Sequence, residues 1–465
     1  MYKLNYFNFS KRNNNYLLTN DFGKYIFLSP EQFNKLIHKQ PLDLNIEKEL
    51  LEKGFIYKVD EEIFAMNNAG TYRNMKGYLL YGPSLHIFVV TKNCNFNCIY
   101  CQAGNLNQNE DYYMTEEVAK KAVDIALEST SKYLTFEFQG GEPLLNFDVI
   151  KFIVEYSKEN SQDKIIEYNL VSNLTMITDE MIDYFIKNNV NICTSIDGNK
   201  ELQNINRPYK NKDSYTETIN KINEIKKLKA KVNAIETTTR YSLSEYKTVI
   251  DEYINLGMES IFLRPLTKLG KADKSWKKIG YSVNEYLKFY KNALDYIIQK
   301  NKEGSFIIES YASIFLKKIL FNKADNYMEL RSPCGAAIGQ IAYYYDGNIF
   351  TCDEGRMFFE MGDDSFKIGN VFENSYKDLM ESDVTKAISI SSCLETLPYC
   401  KDCVYMPYCG VCPVINLGQE GNIFSKDKNN FRCKINQGIL DILFGYIEKN
   451  DYEMDIFKGW IEKNA

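Results

Sequence analysis

Residues 85–102 read LHIFVVTKNCNFNCIYCQ, a run that joins an apolar segment to a cysteine-rich loop. The segment LHIFVV is short, apolar and rich in β-branched residues, which predicts a buried strand. The loop after it carries Cys94, Cys98 and Cys101 in the spacing C-x3-C-x2-C. Three thiolates so close in sequence can bind three irons of a cubic [4Fe–4S] cluster and leave the fourth iron open. The alternative is a zinc loop or accidental clustering, although zinc would need a fourth ligand nearby.

The chain around this loop alternates strands and helices from residue 85 to residue 265. Six strand–helix units follow one another with short connections, for example at LTFEF (134–138), IIEYNLV (165–171) and NICTSI (191–196). Such alternation predicts parallel strands in an α/β fold, here a partial (β/α)6 barrel. The cysteine loop would then lie at the carboxyl end of the first barrel strand, where barrels build their active sites.

Regions of different character flank this barrel, which we place at residues 80–310. Residues 1–75 hold the short strands YLLTN and KYIFLS and a helix that begins after Ser29. They predict a small winged-helix-like module, with an extension packed on the main domain as the alternative. Residues 311–465 form a cysteine-rich extension. Because the chain beyond Cys334 shows little periodicity, we expect loops there that depend on metal.

Composition excludes several classes of function. The 465 residues carry a net charge of −6 with scattered lysines, which indicates neither a nucleic-acid partner nor an anionic membrane partner. No apolar run reaches the roughly 18 residues of a membrane helix, and the N-terminus lacks the apolar core of a signal peptide. We therefore expect a cytoplasmic protein. Twelve cysteines and only two histidines favour thiolate-bound metal over a disulfide framework, over Ser-His catalysis and over imidazole-rich zinc sites.

Three further motifs follow the predicted barrel strands. QGGEP (139–143) follows the second strand, VSNL (171–174) the third, and TSIDG (194–198) the fourth. Each motif in isolation is compatible with an ordinary turn at the end of a strand. Cys193, within the fourth strand, is interpreted as a small buried apolar residue. Tyr343 to Tyr345 are interpreted as packing residues of a later strand.

The cysteine loop and the GGEP motif together resemble the radical S-adenosylmethionine superfamily. The resemblance implies a cluster on Cys94, Cys98 and Cys101 that delivers one electron to S-adenosylmethionine, so that a 5′-deoxyadenosyl radical abstracts a substrate hydrogen. It implies further cofactor contacts. Gly140, Gly141 and Glu142 would contact the methionine amino group of the cofactor. The ribose and carboxylate would be contacted by Ser172, Asn173 and Ser195, and the adenine by Tyr100. A core aromatic is the alternative for Tyr100, and turn residues are the alternative for the Ser and Asn positions.

The later cysteines resemble the SPASM extension of radical enzymes, which carries two auxiliary [4Fe–4S] clusters. The element GNIFTC (347–352) is intact, whereas the usual final C-x3-C is shortened to a C-x2-C at 409–412. The resemblance implies one cluster on Cys334, Cys352 and Cys412, with Cys393 or a substrate thiolate as its fourth ligand, and another on Cys400, Cys403, Cys409 and Cys433. Two zinc ribbons at 400–403 and 409–412 are the alternative.

Asp353 directly follows Cys352. In the related sulfatase-maturing enzymes, an aspartate at this motif position acts as general base, and the resemblance implies the same role here. The alternative is that Asp353 belongs to a solvated turn.

Several longer stretches look most like the maturases of the His-Xaa-Ser peptide system. They are FLSPEQF (27–33), the cysteine loop itself, the run from Ser332 to Met357 and PYCKDCVYMPYCGVCP (398–413). This resemblance implies that the enzyme modifies a small ribosomally made precursor peptide by cross-linking, oxidation or epimerisation, with an electron donor such as flavodoxin or ferredoxin. The N-terminal module would bind a leader segment by β-augmentation. The alternatives are a sulfatase maturase that forms formylglycine, a zinc-stabilised binding protein and a plain electron-transfer iron–sulfur protein.

Overall fold

The computed structural model describes residues 2–102, 112–323, 328–424 and 430–463. Its N-terminal elements are β1 (Lys3–Leu4), β2 (Asn8–Arg12), β3 (Asn15–Thr19), β4 (Tyr25–Leu28), α1 (Pro30–Ile37), α2 (Leu44–Glu52), β5 (Ile56–Tyr57) and α3 (Glu61–Met75). Strands β2, β3 and β4 form an antiparallel sheet in that order, and β1 pairs antiparallel with β5.

Local sequence signals explain where α1 begins. Ser29 Oγ accepts a hydrogen bond from the Gln32 amide at 3.2 Å, and the Gln32 side chain accepts one from the Ser29 amide at 2.8 Å. This capping box, with Pro30 at the first helical position, satisfies amides that the helix cannot pair internally. The predicted strands YLLTN and KYIFLS coincide with β3 and β4, whereas β2 and α3 were not predicted.

The central elements are β6 (Leu85–Thr91), α4 (Glu116–Leu127), β7 (Tyr133–Gly140), α5 (Phe147–Asn160), β8 (Ile165–Val171), α6 (Asp179–Asn188), β9 (Val190–Ser195), α7 (Lys200–Asn206), α8 (Ser214–Lys227), β10 (Val232–Thr238), α9 (Tyr246–Asn255), β11 (Ser260–Ile261) and β12 (Leu263–Pro265). Strands β6, β7, β8, β9, β10 and β12 lie side by side in chain order, and every neighbouring pair is parallel. The parallel arrangement predicted from the sequence is confirmed, although the last predicted strand divides into β11 and β12.

The two faces of this sheet differ in polarity. Along β7, Leu134, Phe136 and Phe138 are buried in the main core together with residues of α4 and α5. Alternate side chains of a strand point to opposite faces. Glu137 and Gln139 therefore lie on the other face, where both are half-buried.

The remaining elements are α10 (Gly270–Ile279), α11 (Val283–Lys302), β13 (Ile308–Glu309), α12 (Ser310–Phe321), β14 (Gln340–Tyr344), β15 (Asn348–Phe350), α13 (Asp353–Phe359), β16 (Lys367–Asn370), α14 (Tyr376–Glu381), α15 (Asp383–Ser391), α16 (Pro413–Glu420), α17 (Phe431–Lys449) and α18 (Glu453–Lys463). Strand β14 pairs parallel with β6, and β15 and β16 continue the sheet antiparallel, so the described part of the chain forms a sheet of nine strands. Strand β11 pairs with β13 in a separate two-stranded sheet.

The expectation that the region beyond Cys334 consists of loops with little periodicity was wrong, whereas their dependence on metal stays a prediction. Helix α17 alone buries Ile439, Leu440, Leu443 and Phe444, each with 0% exposure, in the same core as the barrel helices. Apolar side chains recur along this helix at helical spacing, a signal that the density of cysteines obscured. Irregular backbone is concentrated in the cysteine loops at 392–412.

The N-terminal sheet packs against one of these cysteine loops. The Asn8 side-chain amide donates to the carbonyl of Lys401 at 2.9 Å and to that of Cys403 at 3.1 Å. Thr19 Oγ1 donates to the carbonyl of Val404 at 2.7 Å. These hydrogen bonds therefore join the N-terminal sheet to the cysteine-rich C-terminal region. Within the described ranges, no helix combines the length and the apolar character that crossing a bilayer requires.

Leu440→Ala tests whether the C-terminal helices stabilise the whole fold. Because Leu440 is fully buried, its truncation should lower the free energy of unfolding by about 2–5 kcal/mol. The matched control Leu44→Ala, at a side chain that is 86% exposed, should change it by less than about 0.5 kcal/mol. Urea denaturation followed by circular dichroism measures both. Equal stability of Leu440→Ala and the unmodified protein would contradict this packing.

Candidate radical-cluster site

The loop after β6 brings three thiols together below the surface. Cys94 and Cys98 are 7% and 8% exposed, and Cys101 is half-buried. The loop backbone is held by the amides of Asn97 and Ile99, which donate to carbonyls of the segment 206–208 at 2.8 and 2.9 Å. Burial raises the pKa of the Cys94 thiol, and the neighbouring charges of Glu142, Cys98 and Cys101 raise it further. The thiols therefore lie within electrostatic reach of one another, as a shared cluster requires.

Two cations stand beside these thiols. Burial raises the pKa of Cys98 to about 11, whereas the charges of Arg207 and Lys271 lower it. Lys271 Nζ donates to Asn97 Oδ1 at 2.8 Å, and the Lys271 amide donates to the Cys101 carbonyl at 3.0 Å. A buried negative group needs such compensation. Neither cation belongs to a local motif, so the sequence patterns missed both.

The Tyr100 hydroxyl is part of a buried polar network. It donates to Asp197 Oδ2 at 2.8 Å and accepts from Arg207 Nη1 at 2.9 Å. Asp197, which belongs to the TSIDG motif, is fully buried. The network links the cysteine loop to the end of β9. A contact between Tyr100 and adenine stays a prediction.

Gly140 and Gly141 allow the end of β7 to approach the cysteine loop closely. The Gly141 amide donates to the Thr91 carbonyl, and the Glu142 amide donates to the Asn93 carbonyl, both at 2.8 Å. A Cβ on Gly140 would lie 2.3 Å from the Thr91 carbonyl oxygen, and one on Gly141 would lie 2.2 Å from that of Asn93. The two glycines are therefore required by packing within the protein. Their contact with a methionine amino group stays a prediction.

Glu142 joins the ends of three strands. Its buried carboxylate accepts hydrogen bonds from Ser172 Oγ at 2.6 Å and from the Asn173 amide at 2.8 Å. The Asn173 side-chain amide donates in turn to Asn95 Oδ1 at 2.8 Å, within the cysteine loop. Burial raises the pKa of Glu142, and the bonds from Ser172 and Asn173 lower it. The structure thus brings together the motifs that follow the first three barrel strands.

Ser195 ends β9 and is half-buried. Its carbonyl accepts a hydrogen bond from Gln203 Nε2 at 3.1 Å, which fixes the turn into α7. The neighbouring Thr194 Oγ1 is buried and has no hydrogen-bond partner in the part of the chain that the structure describes. Cys193, the residue before them, is also half-buried. Burial raises the pKa of its thiol to about 12.

The later cysteines separate into two groups. Cys334, Cys352 and Cys412 are buried in one cluster, and burial followed by the charges of Glu354, Cys412 and Cys334 raises the pKa of Cys352. The second group consists of Cys400, Cys403, Cys409 and Cys433. Burial and the charges of the other three thiols raise the pKa of Cys400 to about 12. The Cys393 thiol donates to Glu395 Oε2 at 3.3 Å and does not belong to the buried cluster of the first group.

Among the described residues, no three His, Cys, Asp or Glu side chains lie close enough together to surround one metal ion. A [4Fe–4S] cluster places iron and sulfide between its thiolates and therefore needs them further apart than one zinc ion does. The three groups of thiols are compatible with such clusters.

Asp353 is buried, so it is not a residue of a solvated turn. It begins α13 and is 8% exposed. Its Oδ1 accepts from Arg356 Nε at 3.1 Å and from Arg356 Nη2 at 2.5 Å. Burial, and the charge of Asp353, raise the pKa of Glu137 on the polar face of β7. The aspartate therefore lies near the polar face of the barrel. Sequence reasoning missed Glu137 and Arg356.

Comparison with known proteins gives the class of this chain. The family model of the radical SAM superfamily matches residues 88–252. An uncharacterised protein of Methanocaldococcus jannaschii is 30% identical over 271 residues, which cover 57% of this chain and 83% of that protein. The chain belongs to the radical SAM superfamily and is an enzyme. Membership implies S-adenosylmethionine and a [4Fe–4S] cluster, which the Cys94–Cys98–Cys101 loop fits.

Two further relatives have assigned activities. A cysteine-type anaerobic sulfatase-maturating enzyme of Clostridium perfringens is 25% identical over 338 residues, 70% of this chain and 87% of that protein. The radical SAM cyclopropyl synthase TigE of Paramaledivibacter caminithermalis is 24% identical over 467 residues, 95% of this chain and 88% of that protein.

Solved structures share the fold. The anaerobic sulfatase maturase anSMEcpe with bound S-adenosylmethionine superposes with a TM-score of 0.67 at 21% identity, covering 78% of this chain and 98% of that one. Streptococcus suis SuiB bound to its precursor peptide SuiA superposes with a TM-score of 0.56 at 16% identity, covering 92% of this chain and 100% of that one.

Gly141→Ala tests the close approach that positions the cysteine loop. The added Cβ would displace the Asn93 carbonyl, so the variant should lose the iron and acid-labile sulfide of one cluster after anaerobic reconstitution. The control Gly70→Ala places its Cβ in open space on α3 and should keep full iron content. Iron, zinc and sulfide analyses measure the result. Full iron content in Gly141→Ala would contradict the packing role, and zinc without sulfide in the unmodified protein would contradict the cluster.

Proposed function

We propose that this enzyme is a radical SAM/SPASM maturase that modifies a ribosomally made precursor peptide by hydrogen abstraction. The product would be a cross-link, an oxidation or an epimerisation. The observation that carries the proposal is the N-terminal sheet of β2, β3 and β4 packed on the cysteine loop at 401–404. The similarity to TigE and to SuiB extends over 95% and 92% of this chain, whereas that to the sulfatase-maturating enzyme of C. perfringens covers 70%.

The proposal divides the chain into an N-terminal module (1–75), a radical SAM barrel (80–310) and a SPASM extension (311–465). The N-terminal module would bind the leader segment of the peptide. Among the residues that the structure describes, strand β2 pairs with β3 alone and is therefore an edge of its sheet. An edge strand presents unpaired amides and carbonyls to which an extended peptide can add as a further strand.

At the radical site, Cys94, Cys98 and Cys101 would hold the [4Fe–4S] cluster. Glu142, Ser172, Asn173, Ser195 and Tyr100 would hold S-adenosylmethionine, since their backbones or side chains meet at the carboxyl ends of β6 to β9. When bound, cluster and cofactor together supply a radical that removes a hydrogen atom from the substrate. The protein residues exclude water and fix the relative positions of cofactor and substrate.

The SPASM extension would hold two auxiliary [4Fe–4S] clusters. One cluster would have a complete set of four thiolates, from Cys400, Cys403, Cys409 and Cys433. The other cluster would have only three protein thiolates, from Cys334, Cys352 and Cys412. Because the Cys393 thiol donates a hydrogen bond to Glu395, we propose that the fourth position of the cluster on Cys334, Cys352 and Cys412 stays open for a substrate thiolate.

Asp353 would act as the general base of the reaction. Arg356 donates two hydrogen bonds to one carboxylate oxygen of Asp353 and thereby orients the group. The other oxygen, Oδ2, would accept the proton that the substrate loses. Arg356 is a positioning residue in this scheme.

The alternative, formation of formylglycine on a sulfatase, uses the same arrangement of barrel, thiol groups and Asp353. Sulfatase-maturating enzymes are among the relatives, which favours this second candidate. The N-terminal sheet, with its edge strand β2, favours a peptide maturase.

Co-expression with a short candidate peptide, taken from any neighbouring gene that encodes one, tests the proposal. Intact-mass and fragment spectra of the peptide should show a loss of two hydrogens for a cross-link or oxidation. Epimerisation should leave the mass unchanged, with a D-residue found after hydrolysis. Peptide expressed without the enzyme is the control. An unmodified peptide, together with conversion of a cysteine-containing sulfatase peptide to formylglycine by the same enzyme, would establish the alternative.

Asp353→Asn separates cofactor cleavage from turnover of the peptide. The amide cannot accept the substrate proton at neutral pH, so 5′-deoxyadenosine should form while modified peptide falls by about tenfold or more. The control Asp364→Asn changes an exposed carboxylate of the same region and should keep the yield. Chromatography of 5′-deoxyadenosine and peptide from one reaction measures both quantities. An unchanged peptide yield in Asp353→Asn would remove this residue from the mechanism.

A further inference from the structure

We propose that a lysine-lined cleft beside Cys98 is the docking site of a small acidic protein that donates the electron for the radical cluster. The inference rests on the proposed function, because a radical cluster needs a one-electron reductant. One electron would leave the donor, which is oxidised, and enter the cluster, which is reduced. No proton or atom is exchanged between the two proteins.

The cleft has a volume of about 340 Å³ and opens to the surface. One wall is the cysteine loop, through residues 97–99, which include Cys98. The opposite wall is α10, which contributes Lys271, Lys274 and Lys278. Residues three and four apart share one face of a helix, so these lysines form a single row that faces the cysteine loop.

The positive charge of this face contrasts with the rest of the chain. The segment KLGKADKSWKK (268–278) contains five lysines and one aspartate, whereas the whole chain carries a net charge of −6. The aspartate, Asp273, lies 3.6 Å from Lys268 Nζ. Lys274 and Lys278 are exposed, and among the described residues neither forms an ion pair. A local positive patch attracts a partner whose surface is acidic.

The floor of the cleft is apolar. Ile205 is 46% exposed there, and Ile99 and Tyr241 line the same surface. An apolar centre with a charged rim is the usual composition of a transient protein–protein interface. Charge would guide the encounter, and the apolar floor would hold the bound partner.

The cleft also leads directly to the proposed cluster. Cys98 is part of its wall, and Lys271 binds both Asn97 and the Cys101 carbonyl on the cysteine loop. Electron transfer falls steeply with distance, so a donor seated on α10 would be close to a ligand of the cluster.

The first test measures binding of a purified flavodoxin, which is a small acidic protein. The double charge reversal Lys274→Glu/Lys278→Glu should weaken binding, measured by biolayer interferometry at low ionic strength, by about tenfold or more. The control Lys377→Glu/Lys386→Glu changes the net charge equally at exposed lysines of α14 and α15 and should bind as the unmodified protein does. Added salt should weaken binding of the unmodified protein and should remove most of the difference between the variants. Equal binding by the two double variants would overturn the proposal.

The second test measures electron delivery. With reduced flavodoxin as the donor, Lys274→Glu/Lys278→Glu should form 5′-deoxyadenosine about tenfold more slowly than the control variant. With dithionite, a small chemical reductant that needs no docking surface, the two variants should be equal. A loss with dithionite as well would show that the lysines serve another purpose, and would overturn the docking site. Absence of 5′-deoxyadenosine from the unmodified protein with dithionite would instead contradict the proposed function.

Discussion

Two backbone hydrogen bonds hold the site together, those from the amides of Gly141 and Glu142 to the carbonyls of Thr91 and Asn93. They connect the cysteine loop to the end of the neighbouring parallel strand. They form only because Gly140 and Gly141 have no Cβ, which would collide with the carbonyls of Thr91 and Asn93. Once the turn is in place, the Glu142 carboxylate reaches Ser172 and the Asn173 amide at the third strand. The carboxyl ends of successive parallel strands thereby become one continuous surface around the thiols.

Charge balance is the second constraint on this surface. Three thiols and the fully buried Glu142 and Asp197 lie within one region, and each would be costly to ionise without compensation. Arg207 and Lys271 provide opposite charge on the side of Cys98. Arg207 also binds the Tyr100 hydroxyl, so that the same cation neutralises charge and fixes the loop. Helix α10, which carries Lys271, has a second proposed role, since its exposed lysines line the cleft beside the same loop.

The local parts of this architecture could be predicted from the sequence. The apolar strand of residues 85–90, the Ser29 cap and the cysteine spacing are signals contained in a few consecutive residues. The parallel order of six strands followed from their alternation with helices. Arg207 and Lys271 could not be predicted in the same way, because their partners come from distant elements and no short motif contains them. Arg356 binds Asp353 three residues earlier on the same helix, but no motif of the sequence assigned it a role, and the same holds for Glu137.

The C-terminal region shows a different limit. Its cysteine motifs dominated the interpretation, and the apolar repeat of α17 was therefore overlooked, although Leu440 and Leu443 lie in the main core. The division of the thiols into two groups was predicted from the resemblance to the SPASM extension. In the structure, Cys334, Cys352 and Cys412 lie in one buried cluster, and Cys400 lies near Cys403, Cys409 and Cys433. Occupation of these groups by auxiliary clusters remains a proposal.

The central claim is that the thiols of Cys94, Cys98 and Cys101 hold the cluster that cleaves S-adenosylmethionine. The most direct measurement is 5′-deoxyadenosine released by the reconstituted, dithionite-reduced protein, compared with the variant in which all three cysteines are replaced by Ala. The account predicts release by the unmodified protein and none by the variant, which should still contain iron and sulfide at the later cysteines. Undiminished release by the variant would contradict the account.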